Sequence, residues 1–368
     1  MRQRRTTATR GWALIAGLGL ALGVGAASHP AVQDVLDMPV VPAATPSRDA
    51  TTSVAHQGNR VLAVGPRGLI LLSVDGAVTW KQVASPVGSD LVSVKFTDAT
   101  TAWAVGHDAV ALRSTDGGAS WLRVLDGRKV LQLLRSAYVQ RTANGDTAAP
   151  RLLKEVERSA TQSATPGVLP APFLDVWFAD AKEGYLVGAF GLILHTADGG
   201  DSWEPWTDRT DNDRRLHLYA VGGDGAQRWI AGEQGLLLKW DAVSARFAKV
   251  ETPYAGSFFG LDVQGDRIVA FGLRGNAYGR LGDTSPWTKI VTGVDANLVA
   301  AISLSPERVL LVSQAGQVLK GSLATGQSST VFDAHGGDVA GAIALDARHL
   351  VLARIDGVAA ATLSEVTP

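Results

Sequence analysis

The sequence predicts an all-β chain: a seven-bladed β-propeller of four-stranded blades, with a helical hairpin inserted between blades 2 and 3. Three observations predict it. Units that open on an apolar run start at Val61, Ala102, Gly184, Arg228, Ile268, Val309 and Leu350, at spacings of 41, 82, 44, 40, 41 and 41 residues. Each unit reads as four short strands, in blade 2 "LVSVKF", "AWAVG", "AVALRS" and "WLRVL", separated by turns rich in Gly, Asp and Thr. Three units carry an Asp-Gly turn that leads into Trp. A repeat of about 40–45 residues with four strands is one propeller blade.

The N-terminus reads as an export signal. Arg2, Arg4, Arg5 and Arg10 precede the apolar run "GWALIAGLGLALGVGAAS", which ends in small residues suited to cleavage near Ala27 and Ser28. Residues 1–28 are therefore expected to be a signal peptide, with an uncleaved anchor as the alternative, and the chain to be exported, periplasmic or lumenal. Residues 29–50 read as a linker with a closing strand: Val35 to Val41 is expected to pair beside Ala359 to Leu363, completing a last blade that is one strand short. Residues 51–368 form the propeller. With no cysteine the exported chain has no disulfide and no thiolate metal site.

The turns "SVDGAVTW", "STDGGASW" and "TADGGDSW" place Asp75, Asp116 and Asp198 where a carboxylate can accept backbone N–H bonds across a hairpin. Gly117, Gly118, Gly199 and Gly200 supply positive φ at little steric cost. Trp80, Trp121 and Trp203 then fill space between sheets. A catalytic group is seldom needed in three blades at once, whereas a turn is. These residues are read as scaffold.

The spacing of 82 leaves room for an insert at 128–170. "RKVLQLLRSAYVQ" puts Val130, Leu131, Leu134, Ala137 and Tyr138 on one helical face, and Pro150 opens a second helix with Leu152, Leu153 and Val156 in a stripe. The insert carries a charge of +4, against −9 for the rest of the exported chain. An acidic remainder argues against a nucleic-acid partner.

In a four-stranded meander the turn from strand 2 to strand 3 and the link to the next blade share a rim. The insert is such a link, so it is expected beside the loops holding Arg67, His107, Phe190, Gln234 and Arg274. Fixed glycines around variable side chains suit a display surface. Arg67 and Arg274, with Arg128, Arg135, Arg151 and Arg158 of the insert, are the candidate partner-binding residues.

The pattern S/T-x-D-G-G-x-S/T-W is that of the Asp-box, or BNR-repeat, propellers. With "AWAVG", "GYLVG" and "RWIAG" before it, the chain resembles the photosystem II stability and assembly factor family, most clearly in blades 1 to 3. The resemblance implies a non-catalytic scaffold outside the cytoplasm, serving assembly of a membrane complex. The expected partner is a subunit of that complex with an acidic exposed segment, and the expected state a monomer without cofactor. Two other functions compete: a sialidase-like glycoside hydrolase and an accessory subunit of an envelope transport system. A sialidase needs an arginine triad and a Tyr/Glu nucleophile pair. Only five tyrosines are present, and Tyr185 occupies the strand position held by Trp103 and Trp229 in other blades. The seven histidines show no metal-ligand spacing, and the acidic run Asp208 to Asp213 reads as a loop.

Overall fold

A computed structural model describes residues 34–38, 40–334 and 338–363. The export signal expected over 1–28 lies outside the described residues. Among the described residues no helix is long and apolar enough to cross a membrane.

Seven antiparallel sheets form a ring, each starting with an innermost strand: Ser53–Gln57, Leu91–Phe96, Phe173–Phe178, Leu218–Asp224, Phe258–Gln264, Leu298–Ser305 and Val339–Ala344. Each innermost strand neighbours the next, and the seventh neighbours the first. The second strands are covered on both faces, so they read as continuous apolar runs rather than as alternations. Their period of two shows in where successive side chains go. In the second strand of blade 2 (Ala102–Gly106), Ala102 and Ala104 pack toward blade 1, while Trp103 and Val105 pack toward blade 3. The same alternation places Leu186 toward blade 2 and Tyr185 with Val187 toward blade 4. The ring closes by the same rule, because Val61 and Ala63 of blade 1 share a cluster with Val351 and Ala353 of blade 7.

Each Asp box is a closed set of hydrogen bonds. In blade 2 Ser114 Oγ donates to Asp116 Oδ1 (2.8 Å), Gly118 N–H donates to Ser114 Oγ (2.8 Å) and Ser120 Oγ donates to Asp116 Oδ2 (2.6 Å). Blades 1 and 3 repeat the set around Asp75 and Asp198. The bonds from Ser120 hold the Asp116 carboxyl at about 2, below its usual range, and Thr79 and Ser202 do the same for Asp75 and Asp198. The boxes also join blades. Arg60 of blade 1 donates to Gly117 O (3.3 Å), and Arg113 of blade 2 donates to Gly199 O (3.1 Å) and pairs with Asp201. The structure thus gives the boxes of blades 2 and 3 a second structural duty, as latches on the preceding blade.

The insert consists of α1 (Gly127–Ala143) and α2 (Ala149–Thr161). Asp126 caps α1 by accepting from Arg128 N–H and Lys129 N–H, both at 3.0 Å. Asp146 receives Ala148 N–H (2.8 Å) just before α2. Val130, Leu131, Leu134 and Tyr138 join Leu152 and Val156 in one cluster with Leu125, Phe173 and Leu192 of the flanking blades. The hairpin is therefore part of the core between blades 2 and 3.

The expected closing strand is not formed among the described residues. Blade 7 has three strands among the described residues, and Val35–Asp37 is a single 3-10 turn. Asp34 caps that turn, and Leu36 is wholly buried with Leu62 and Leu91 between blades 1 and 2. Arg128 binds Asp34 and Asp37, both at 2.8 Å, and Arg123 donates to Leu36 O. Those two arginines and one apolar socket draw the segment to blade 2, away from blade 7. Closure instead uses the residues just before blade 1: Thr51 N–H donates to Arg354 O (2.8 Å) and its hydroxyl to Gly357 O (3.2 Å). Leu36→Ala is accordingly expected to cost about 2–4 kcal/mol, the usual range for a buried leucine. Chemical denaturation checks it, and a loss below about 0.5 kcal/mol, the range of a surface substitution, would contradict this docking.

Candidate functional site: the rim that carries the insert

In blades 1, 3, 4 and 5 the loops between second and third strands are tight 3-10 turns that close on themselves. Gly65, Gly188, Gly232 and Gly272 each donate their N–H to the carbonyl four residues on, at 2.9–3.0 Å. Such closure pushes the residue two places after the glycine into the left-handed region, at φ 56° for Arg67, 57° for Phe190, 54° for Gln234 and 53° for Arg274. A non-glycine residue costs about 1 kcal/mol or more there. In three of these loops its N–H is fixed by the link to the next blade: Arg67 to Asp90 Oδ1 (2.7 Å), Phe190 to His217 Nδ1 (2.9 Å) and Arg274 to Asn297 Oδ1 (3.1 Å). The backbone is thereby held while the side chain projects. In blade 2 the left-handed positions are Asp108 and Ala109, not His107, and Asp108 is tied to Ser89 Oγ (2.7 Å).

The insert lies on this same rim. Arg141 of α1 reaches Asp208 in the link from blade 3 to blade 4 (3.0 Å from Nη1 to Oδ1) and also Asp146. Arg215 of that link pairs with Glu155 of α2 (3.0 Å). Two acids of the run Asp208 to Asp213 are thus committed to protein partners, since Asp211 also pairs with Arg246 (2.8 Å). Among the described residues no group of three or more potential metal ligands occurs.

The six candidate arginines divide into two groups. Arg128 is held by Asp34 and Asp37, Arg135 forks onto Glu157 at 2.6 and 2.7 Å, and Arg151 meets Glu155 at 3.1 Å. Hydrogen bonding to Asp37 raises the Arg128 pKa, and Glu157 does the same for Arg135. Arg67, Arg158 and Arg274 are exposed and have no ion pair among the described residues. Arg67 and Arg274 belong to blades 1 and 5, on opposite sides of the ring, so no single small patch contains both.

Between the insert and blade 3 runs a groove of about 530 Å³. Leu134, Tyr138, Leu152 and Val156 form its floor, and Arg158 and Phe190 stand at its lips. Phe190 is 56 % exposed and lies edge-on to His217, with ring centres 4.9 Å apart. The sequence showed Phe190 only as one variable loop residue. An aromatic hydrocarbon ring in a frame otherwise filled by Arg, His and Gln was the available signal.

Two polar clusters deeper in the ring serve structure. Asp175, on an innermost strand, accepts from Ser93 Oγ (2.8 Å) and Val221 N–H (3.1 Å), tying blades 2, 3 and 4. A Tyr–Glu pair does exist: Tyr185 donates to Glu183 Oε1 (2.8 Å), and Arg228 holds Oε2 (2.6 Å). Yet Tyr185 is wholly buried, and burial together with that bond raises its pKa, which opposes formation of a nucleophilic tyrosinate. It packs between blades 3 and 4, as its strand position implied.

Seven sheets closed face to face, three of them carrying Asp boxes, define an Asp-box β-propeller with a helical rim insert. Within that class, residues 165–252 match the sequence model of the family described as photosynthesis system II assembly factor YCF48. Photosystem II assembly lipoprotein Ycf48 of Synechococcus sp. (strain CC9902) is 37% identical over 65 residues. That alignment spans 18% of this chain and 20% of the relative. Similar solved structures include YCF48 bound to a D1 peptide, with a TM-score of 0.61 and 13% identity over 87% of this chain and 95% of the other. YCF48 from Cyanidioschyzon merolae gives a TM-score of 0.59 and 17% identity, covering 86% and 96%. A chain of the mitotic checkpoint complex scores 0.60 at 11% identity, covering 88% and 91%. At such identities the structural likeness concerns the fold alone. The family resemblance rests on the sequence match, which takes in the end of the insert, blade 3 and blade 4.

Proposed function

We propose that this chain is an exported, non-catalytic scaffold of the photosystem II assembly-factor type, whose insert-bearing rim holds an acidic exposed segment of a membrane-complex subunit. One observation carries the reading: an open apolar groove on that rim, with an exposed aromatic and an exposed cation at its lips. The family match supports it, and the similar YCF48 structure holds a peptide. Phe190 and the groove floor would supply contact area, while Arg158, with Arg67 and Arg274 farther round the rim, would orient the acidic segment. Charge of this kind mainly raises encounter rate and weakens as salt screens it.

The test is capture from a membrane extract at low and high salt, with circular dichroism of each variant. Phe190→Ala combined with Arg158→Glu is expected to lower capture at least tenfold with the fold unchanged. Arg67→Glu with Arg274→Glu is expected to reduce capture mainly at low salt. Equal capture by wild type and both pairs would overturn the site, and glycosidase turnover would overturn the non-catalytic reading. Deleting the insert is not a clean probe, because its helices are built into the core between blades 2 and 3.

A further inference from the structure

We infer that the outer edge of blade 7 is a strand-addition site for an extended, uncharged segment of another polypeptide, bound through its backbone. This goes beyond the rim reading and does not depend on it. The third strand of blade 7, Gly357–Thr362, pairs with His349–Arg354 on one side, and among the described residues no strand pairs with its other side.

The chain itself shows what an occupied edge looks like. In blade 6 Leu323 N–H donates inward to Glu307 O (2.8 Å), and the next group outward, Ser322 N–H, donates to Gln327 O (2.9 Å) at the start of the fourth strand, Ser328–Asp333. In blade 7 Leu363 N–H makes the matching inward bond, to Arg348 O (2.7 Å). Alternation in an antiparallel ladder then turns the N–H and C=O of Val358, Ala360 and Thr362 outward. These groups correspond to those that receive a fourth strand in six other blades, and Ala360 and Thr362 are exposed.

The occupant's chemistry follows from the edge. No charged residue lies between Gly357 and Leu363, so ion pairing has no role within the ladder. Ala359, Ala360 and Ala361 are small and leave room for larger side chains on an added strand. The resident fourth strands use that kind of room, placing Phe247, Ile290 and Val331 against the blades. The fitting occupant is thus an extended segment with β-branched or aromatic residues at alternate positions. A second copy of this chain fits less well. Two six-residue edges bury on the order of several hundred Å², well short of the roughly 1,600 Å² of a standard interface.

The probe is a labelled peptide with the uncharged part of the chain's own fourth-strand sequence from blade 6, GQSSTVF (326–332), titrated into the full protein by fluorescence anisotropy. Saturable binding is expected, at least tenfold weaker for Ala360→Pro and for Thr362→Pro, since proline removes an outward N–H yet is tolerated at a sheet edge. The same peptide N-methylated at alternate backbone nitrogens is expected not to bind, a control that needs no protein variant. Hydrogen exchange at Ala360 and Thr362 is expected to be fast in the free protein and slowed by the peptide. Slow exchange there without peptide, or equal binding by the proline variants and by the N-methylated peptide, would overturn the inference. A dimer by light scattering that Ala360→Pro returns to a monomer would assign the edge to a second copy and overturn it as well.

Discussion

Trp103→Ala is expected to destabilise the ring by about 3–5 kcal/mol, the range for a wholly buried large aromatic, and to fall near its upper end. Trp103 has no exposed surface, and its partners are all part of one interface. It stacks on Phe178 of blade 3 with centres 5.3 Å apart, meets Trp203 edge-on at 5.8 Å, and has the Arg113 guanidinium over its ring at 5.8 Å. Truncation therefore opens a cavity between two sheets whose backbones are fixed by ladders on either side and cannot collapse into it. Trp121→Ala belongs to the same class but should cost less. Trp121 is 7 % exposed and sits at the end of its blade, where it donates Nε1–H to Gly118 O at 3.1 Å. Urea denaturation followed by circular dichroism ranks the two. A Trp103→Ala loss below about 1 kcal/mol, the size of an ordinary substitution, would show that blades 2 and 3 are not held by this aromatic contact.

The ring was legible in the sequence because its units repeat a local rule. Each second strand is buried on both faces, so its apolar run stands out, and each box fixes its own turn through residues two to six positions apart. The helical insert was legible for the same reason, from the stripe of Val130, Leu131, Leu134 and Tyr138. What depends on distant partners was not. The segment around Leu36 looks like a strand that could close blade 7. Its destination is set by Arg123 and Arg128, about ninety residues away, and no local pattern reports that. Charge counting on the insert had the same weakness. It found the surplus of cations but could not see that Arg128, Arg135 and Arg151 each have an acid in reach, while Arg158 has none among the described residues. Phe190 was placed on the display loops but not among the binding candidates, because its exposure follows from a left-handed backbone, which a sequence frame of two glycines suggests only in outline.

Gly200→Val is expected to cost about 3 kcal/mol or more, and it separates the two duties of the Asp box. Gly200 sits at φ 88°, where an L side chain pays roughly 1–2 kcal/mol of backbone strain. A Cβ there would also lie 2.5 Å from Cη2 of Trp103, so the neighbouring blade must shift, at about 1–3 kcal/mol for overpacking of a well-filled core. Gly58→Val isolates the first contribution, because Gly58 also has positive φ, 57°, but nothing within 4 Å of the added carbon. Blade 1 provides an internal comparison: Ala77 stands where blades 2 and 3 have Gly118 and Gly200, at φ 70°, and packs with the cluster shared by blades 1 and 7. A methyl is thus accepted in blade 1, whereas a Cβ at Gly118 would meet Leu62 and one at Gly200 would meet Trp103. The difference between Gly200→Val and Gly58→Val should therefore measure the contact between blades. It should shrink when Trp103→Ala is already present, since the added methyls then enter the space the indole has left, giving a coupling of about 1 kcal/mol or more. Equal losses for the two glycine variants, with Gly200→Val and Trp103→Ala simply additive, would mean that the box closes its own hairpin and does not latch the blades together.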